Sequence, residues 1–147
     1  MRLAIGSDPA GFDLKVRLMP ILQEWGHQVV DYGCDSKEPA DYPRYAARVG
    51  KAVATGEAER GILICGTGQG MAISANKVEG VRAALCVSPL HAVLSREHND
   101  TNVLCFGAWA YSDEEVRAIA EAWLFGKFNG APVHKERVEM MDRINEL

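Results

Sequence analysis

The 147-residue sequence has no apolar run near the roughly 20 residues that a membrane-spanning helix needs. It runs from Met1-Arg2 straight into Leu3-Ala4-Ile5, without the charged-then-apolar pattern of a secretory signal, so a cytoplasmic location is expected. Cysteine is sparse. Cys34, Cys65, Cys86 and Cys105 form no Cys-x-x-Cys pair, which removes the usual signature of zinc or dithiol chemistry and leaves single thiols in a reducing compartment. No excess of basic residues exists either: 16 Lys+Arg stand against 20 Asp+Glu, a net charge of −4, so neither nucleic acid nor a membrane is an expected partner. No His/Asp/Glu cluster has metal-ligand spacing, and neither a metal nor a cofactor is expected. Repeats, low-complexity tracts and linkers are absent, so residues 1–147 are expected to form one domain.

What is present is an ordinary globular balance, 48% hydrophobic and 24% charged, arranged in alternation. Short apolar runs at Leu3–Ser7, Gln28–Tyr32, Gly61–Cys65, Ala83–Val87 and Val103–Phe106 read as strands. Helical periods lie between them, near Gly11–Trp25, Pro43–Thr55, Met71–Lys77, Leu90–Glu97 and Asp113–Phe125, with a last helix over about His134–Glu146. The pattern predicts an α/β three-layer sandwich: a Rossmann-like, five-stranded parallel sheet covered by helices on both faces, with a C-terminal helix. Asp41 before Pro43, and Ser112 before Asp113-Glu114-Glu115, mark helix starts, and Pro20 predicts a kink or an early end in the first helix.

Ligands of such sheets bind beyond the carboxyl ends of the strands. The loop after the third strand, Cys65-Gly66-Thr67-Gly68-Gln69-Gly70-Met71, is the richest. Its glycines let successive N–H groups face one point, which suits an anion, although a plain turn explains glycines equally well. The spacing fits neither the dinucleotide fingerprint nor the Walker loop. Cys65, at a strand end beside that cradle, is a candidate thiolate base or simply a small buried strand residue. In Ser95-Arg96-Glu97-His98-Asn99-Asp100-Thr101-Asn102, His98 has the side chain for general acid-base work and Asn99 for orienting a hydroxyl, or the run is a solvated helix end. His27, His91 and His134 lack such company.

Six segments together resemble the ribose-5-phosphate isomerase B family, which includes galactose-6-phosphate isomerase subunits, over nearly the whole chain. They are Ala4-Ile5-Gly6-Ser7-Asp8, Asp41-Tyr42-Pro43, Gly61 through Gly68 with Gly70, Ala75-Asn76-Lys77-Val78, Arg82-Ala83-Ala84 and Ser95 through Asn102. The resemblance implies a metal-free aldose-ketose isomerase working through an enediolate, in a homodimer or dimer of dimers with shared sites. It implies Cys65 as the base, Thr67 as a manager of protons on the sugar oxygens, and the Gly66, Gly68 and Gly70 loop as the enediolate cradle. It further implies His98 as the ring-opening group and Asn99 as a substrate contact, both supplied by the neighbouring subunit, with Asp8 and Tyr42 lining the pocket. One branch of that family carries its base as a glutamate after the last loop glycine; Met71 stands there, leaving Cys65.

The sequence departs from the family pattern at Pro9, Trp109 and Val133, where a histidine and two arginines are usual, and only Arg137 remains of the basic cluster. Charge-assisted guanidinium bonds are worth roughly 1.5–3 kcal/mol each, so their loss bears directly on phosphate binding. Two readings follow. Trp109 offers an apolar face to a sugar with an altered or unphosphorylated end, or it packs at a subunit interface while Arg44 or Arg143 supplies charge. A non-catalytic sugar-binding or supporting subunit, and a flavodoxin-like receiver or nucleotide binder, are the competing functions.

Overall fold

The computed structural model describes all 147 residues. Five strands, β1 (Arg2–Ser7), β2 (Gln28–Asp31), β3 (Arg60–Cys65), β4 (Ala83–Leu85) and β5 (Val103–Gly107), pair in the order β2-β1-β3-β5-β4, every pair parallel. Between and after them run α1 (Phe12–Glu24), α2 (Tyr42–Ala54), α3 (Gln69–Ala75), α4 (Pro89–Asn99), α5 (Asp113–Phe125) and α6 (Pro132–Asp142).

Period-two alternation divides the core between the two faces of the sheet. Leu3, Ile5, Ile62, Ile64, Leu104 and Phe106 point to one face and meet α1, α4 and α5 through residues such as Leu18, Leu22, Ala92 and Ile119. Ala4, Leu63, Cys65, Val103 and Cys105 point to the other and meet α2 and α3 through Val49, Val53 and Met71. Each fully buried aliphatic or aromatic side chain contributes about 1.5–3 kcal/mol. Trp123, fully buried, also donates its indole N–H to Thr101 Oγ1 at 2.9 Å, which ties α5 to the start of β5.

Most of the expected elements are found, with instructive differences. α1 passes through Pro20 to Glu24. Pro20 is exposed, so the carbonyl it leaves without an N–H partner faces water and the helix does not end early. Asp41 occupies the N-cap of α2 but makes no capping bond, its carboxylate lying 3.7 Å from the Arg44 guanidinium. Ser112 forms the full capping box with Glu115. β4 stops at Leu85, and the last helix stops at Asp142, followed by a short 3-10 turn at Ile144–Glu146. β4 is an edge strand. At Ala83 the Asn76 side chain plays the missing neighbour, its Nδ2 donating to the Ala83 carbonyl at 2.9 Å and its Oδ1 accepting the Ala83 N–H at 2.8 Å.

Candidate active site

The chain leaves β1 for β2 on one side of the sheet and continues from β3 on the other, so the loops after β1 and β3 part at a crevice between neighbouring strands. Cys65 ends β3 there, 6% exposed. Its Sγ accepts the Gly68 N–H at 3.1 Å. The loop can fold back on its own sulfur because Gly68 has φ +84°, and a Cβ on it would stand 2.7 Å from the Phe106 carbonyl carbon. Thr67 Oγ1 accepts from the Gln69 N–H at 3.3 Å.

The remaining amides are open: the N–H groups of Gly66, Thr67, Gly70 and Met71 donate to no protein acceptor. Four free donors beside a thiol are suited to a developing oxyanion. The amides of Gly66 and Gly70 are unengaged, as the expected cradle requires, and two further features stand out. The Gly68 amide serves the sulfur instead of facing the crevice, and Met71, passed over in the sequence because its side chain cannot titrate, adds its main-chain N–H.

Two aromatic rings wall this loop. Tyr42, first residue of α2, lies against Gly70, where an added Cβ would meet its ring at 2.4 Å. Trp109 lies flat across Gly66, with three indole carbons 2.6–2.7 Å from where a Cβ would sit, and is 75% exposed. Its main-chain N–H donates to the Gly66 carbonyl at 3.0 Å, and the Ala108 N–H to the Cys65 carbonyl at 2.8 Å, so the segment after β5 is pinned to the loop. Asp8 completes the rim: its N–H reaches the Ile64 carbonyl at 3.2 Å and its carboxylate accepts the Gly11 N–H at 3.0 Å. Burial pushes the Asp8 carboxyl above its ordinary value, outweighing the backbone N–H bonds that pull it down.

Beneath this rim lies a group that sequence reading missed. Lys15 is fully buried, and its ammonium donates to Asp31 Oδ1 at 2.8 Å and to the Cys34 carbonyl. With the Ser7 N–H on the Gly33 carbonyl and the Cys34 N–H on the Ser7 carbonyl, it fastens the loop after β2 to the one that carries Asp8. A lysine on the apolar stripe of an amphipathic helix was the only signal available.

His98, Asn99 and Arg137 are elsewhere. Gly107 pairs with Cys65 and Val103 with Gly61, and His98 ends α4 beyond the Val103 end of β5. Four residues of strand, about 13 Å, separate the two ends of β5, so within one chain His98 lies at the end of the sheet opposite the sulfur. There its ring stacks on His134 of α6, correcting the expectation that His134 has no polar company; the two are distant in sequence and only the packing of α4 on α6 joins them. Arg82 fixes the same region, donating to the Asp100 carbonyl at 3.0 Å and to Asp142 at 3.0 Å. A cavity of about 410 Å³, lined in part by Asn99, Ala84, Met141 and Ile144, opens beside it. No group of three or more His, Cys, Asp or Glu side chains is placed to hold a metal ion, and no helix is long and apolar enough to cross a membrane.

Comparison with known proteins gives concordant matches. The profile of the Ribose/Galactose Isomerase family matches residues 3–141. Ribose-5-phosphate isomerase B of Escherichia coli (strain K12) is 47% identical over 145 residues, 99% of this chain and 97% of that protein. A 4-deoxy-4-sulfo-D-erythrose isomerase of a Clostridium species (strain MSTE9) is 44% identical over 125 residues, 84% of this chain and 79% of its own. Ribose-5-phosphate isomerase B of Clostridium thermocellum superposes with a TM-score of 0.96 at 41% identity, covering 99% of this chain and 98% of that one.

Proposed function

Starting from the premise that the chain belongs to the ribose/galactose isomerase family and is an aldose-ketose isomerase of the ribose-5-phosphate isomerase B type, we propose that Cys65 moves the proton and the open loop amides hold the charge. The Cys65 thiolate takes the proton from the carbon next to the aldose carbonyl, and the electron pair moves onto the carbonyl oxygen to give an enediolate. The amides of Gly66, Thr67, Gly70 and Met71 receive that oxyanion, while the Gly68 N–H steadies the sulfur whenever it is anionic. Returning the proton to the neighbouring carbon, with a hydroxyl proton passed between the two oxygens near Thr67, yields the ketose and restores the thiolate. Asp8 and Tyr42 border the sugar chain. The reaction as written needs no metal and no cofactor.

His98 opens the cyclic sugar and Asn99 binds it, but in the crevice of a second copy, since their own Cys65 is a strand length away. This makes the working unit a homodimer or a dimer of dimers, with Arg137 entering the partner's site from α6. In support, α6 and the tail expose Val133, Met141, Ile144 and Leu147, apolar groups that a second copy would cover. Within the family the end of the sugar remote from the carbonyl varies, since the relatives are named for ribose 5-phosphate and for a 4-sulfo tetrose; ribose 5-phosphate and ribulose 5-phosphate are the reference pair for assays.

The observation that carries the reading is the sulfur set among free amides. Cys65→Ala is expected to lower turnover by about 10³-fold or more with an unchanged melting curve. Wild-type turnover by that variant would end the assignment. Mixing Cys65→Ala with His98→Ala chains tests the shared site: hybrid dimers hold one intact site, so recovery of about a quarter of wild-type activity is expected, and no recovery would place both residues in one chain's site.

A further inference from the structure

On the buried face of α1 Lys15 is the one residue that is not a leucine; Leu14, Leu18 and Leu22 complete it, and an apolar side chain at 15 would pack as they do. Burying an ammonium carries a desolvation penalty that its partners offset only in close geometry, so a pair of this kind is a poor source of stability. What its partners hold in place is more telling. The ammonium donates to Asp31 Oδ1 at 2.8 Å and to the Cys34 carbonyl, and lies 5.3 Å from the centre of the Phe12 ring. Asp31 Oδ1 also accepts the Gly33 N–H at 2.8 Å. The lysine and its carboxylate therefore hold the turn Asp31–Cys34 in shape.

That turn grips the segment bearing Asp8 at both ends. At the front, the Gly33 carbonyl accepts the Ser7 N–H at 2.7 Å and the Cys34 N–H donates to the Ser7 carbonyl at 2.8 Å. At the back, Lys15 itself is bonded to the same turn. Asp8 follows Ser7 directly, and its N–H meets the carbonyl of Ile64, the residue before Cys65, at 3.2 Å. Any shift of Ser7 is thus passed to Asp8 through one peptide bond, and changes where its carboxyl group stands relative to the sulfur. We propose that Lys15 is a positioning residue for the isomerisation: by locking the Asp31–Cys34 turn it sets Asp8 at the distance from Cys65 at which its carboxyl group meets the sugar. The inference rests on the isomerase reading above, in which Asp8 borders the sugar chain, and adds to it a buried group that touches no substrate. Misplacement of a contact by about 1 Å costs an enzyme up to about 10²-fold in rate, so a brace behind the rim has a kinetic effect of its own.

The test is a double-mutant cycle on kcat/KM for ribose 5-phosphate that combines Lys15→Met with Asp8→Ala, each chain assayed well below its own melting transition so that the enzyme counted is folded. Lys15→Met alone is expected to lose about 10–100-fold. In the Asp8→Ala background the same change should cost less than about threefold, because the group it positions is gone. A lysine that only holds the fold together gives no loss in folded enzyme, or an equal loss in both backgrounds, and either result overturns the proposal while leaving the isomerase intact. Should Lys15→Met fail to fold, Asp31→Asn takes its place in the cycle: it is isosteric, stands one-third exposed and keeps an oxygen for the Gly33 N–H. Its loss should be about 3–10-fold where Asp8 is present and vanish where it is not, and an equal loss in both, or none in either, overturns the proposal in the same way. A wild-type chain that turns over no aldose removes the isomerase reading and this inference with it.

Discussion

The imidazole of His98 lies face to face with that of His134, the ring centroids 4.6 Å apart and the planes 4° from parallel. The stack fixes the ring plane of His98 at the end of α4, and thus the directions in which its two nitrogens can exchange protons. A ring held in this way suits the ring-opening role proposed for it in a second copy's site.

His98→Ala is expected to lose about 10²–10⁴-fold in kcat/KM on sugars that rest in ring form. On open-chain substrates it should stay within about tenfold of wild type. Steady-state kinetics on a cyclic pentose and an open-chain tetrose separate the cases, and equal damage to both would remove the ring-opening role. His134→Phe should preserve the stack and more of the activity than His134→Ala.

Asp8 gives a pH-dependent signature. Its carboxyl is raised by burial, so the folded chain keeps a proton that the unfolded chain has released. Stability from this group is fully present below the usual carboxylate range and falls as pH rises through the raised value. Asp8→Asn keeps an oxygen for the Gly11 N–H and has no charge to bury. Its melting temperature should match wild type near pH 3 and exceed it near neutrality, with a loss of kcat/KM if the carboxylate contacts substrate. An identical gap at both pH values would contradict the burial account.

Lys15→Met should destabilise the fold by about 3 kcal/mol, or roughly 6–12 °C in melting temperature, because Asp31 and the Cys34 carbonyl lose a buried donor. Asp31 is one-third exposed and can turn to water, which keeps the loss from being larger. Chemical denaturation with a two-state fit measures it. A change below about 1 kcal/mol would mean that water replaces the ammonium.

Gly68→Ala should cost about 1–3 kcal/mol from the positive φ alone. It should also lower kcat more than it raises KM, since the displaced amide is the donor to Cys65 Sγ. Unchanged kcat in a folded variant would show that this N–H has no part in the chemistry.

The layered fold was legible in the sequence because alternation of strand and helix is written at period two and period 3.6, and Asp113–Phe125 matched to the residue. The Cys65 loop was legible as well, since its parts are consecutive. Three things were not. Pro20 is tolerated because solvent satisfies the carbonyl it strands. The Gly68 amide was assigned to the ligand, but a left-handed residue turns it onto the sulfur, and no spacing rule reveals that turn. The pairing of His98 with His134, like the burial of Lys15 under the loops, depends on which helices pack together, a property of the sheet order and not of any local pattern.

The amide of Asn76 has one further effect. By filling both hydrogen-bonding positions of Ala83, it leaves the outermost strand with nothing at that position for a foreign backbone to grasp. Copies of the chain can gather there through side chains, but the sheet cannot grow there into a continuous fibre, and a crowded solution of the protein is guarded at that position by a single carboxamide.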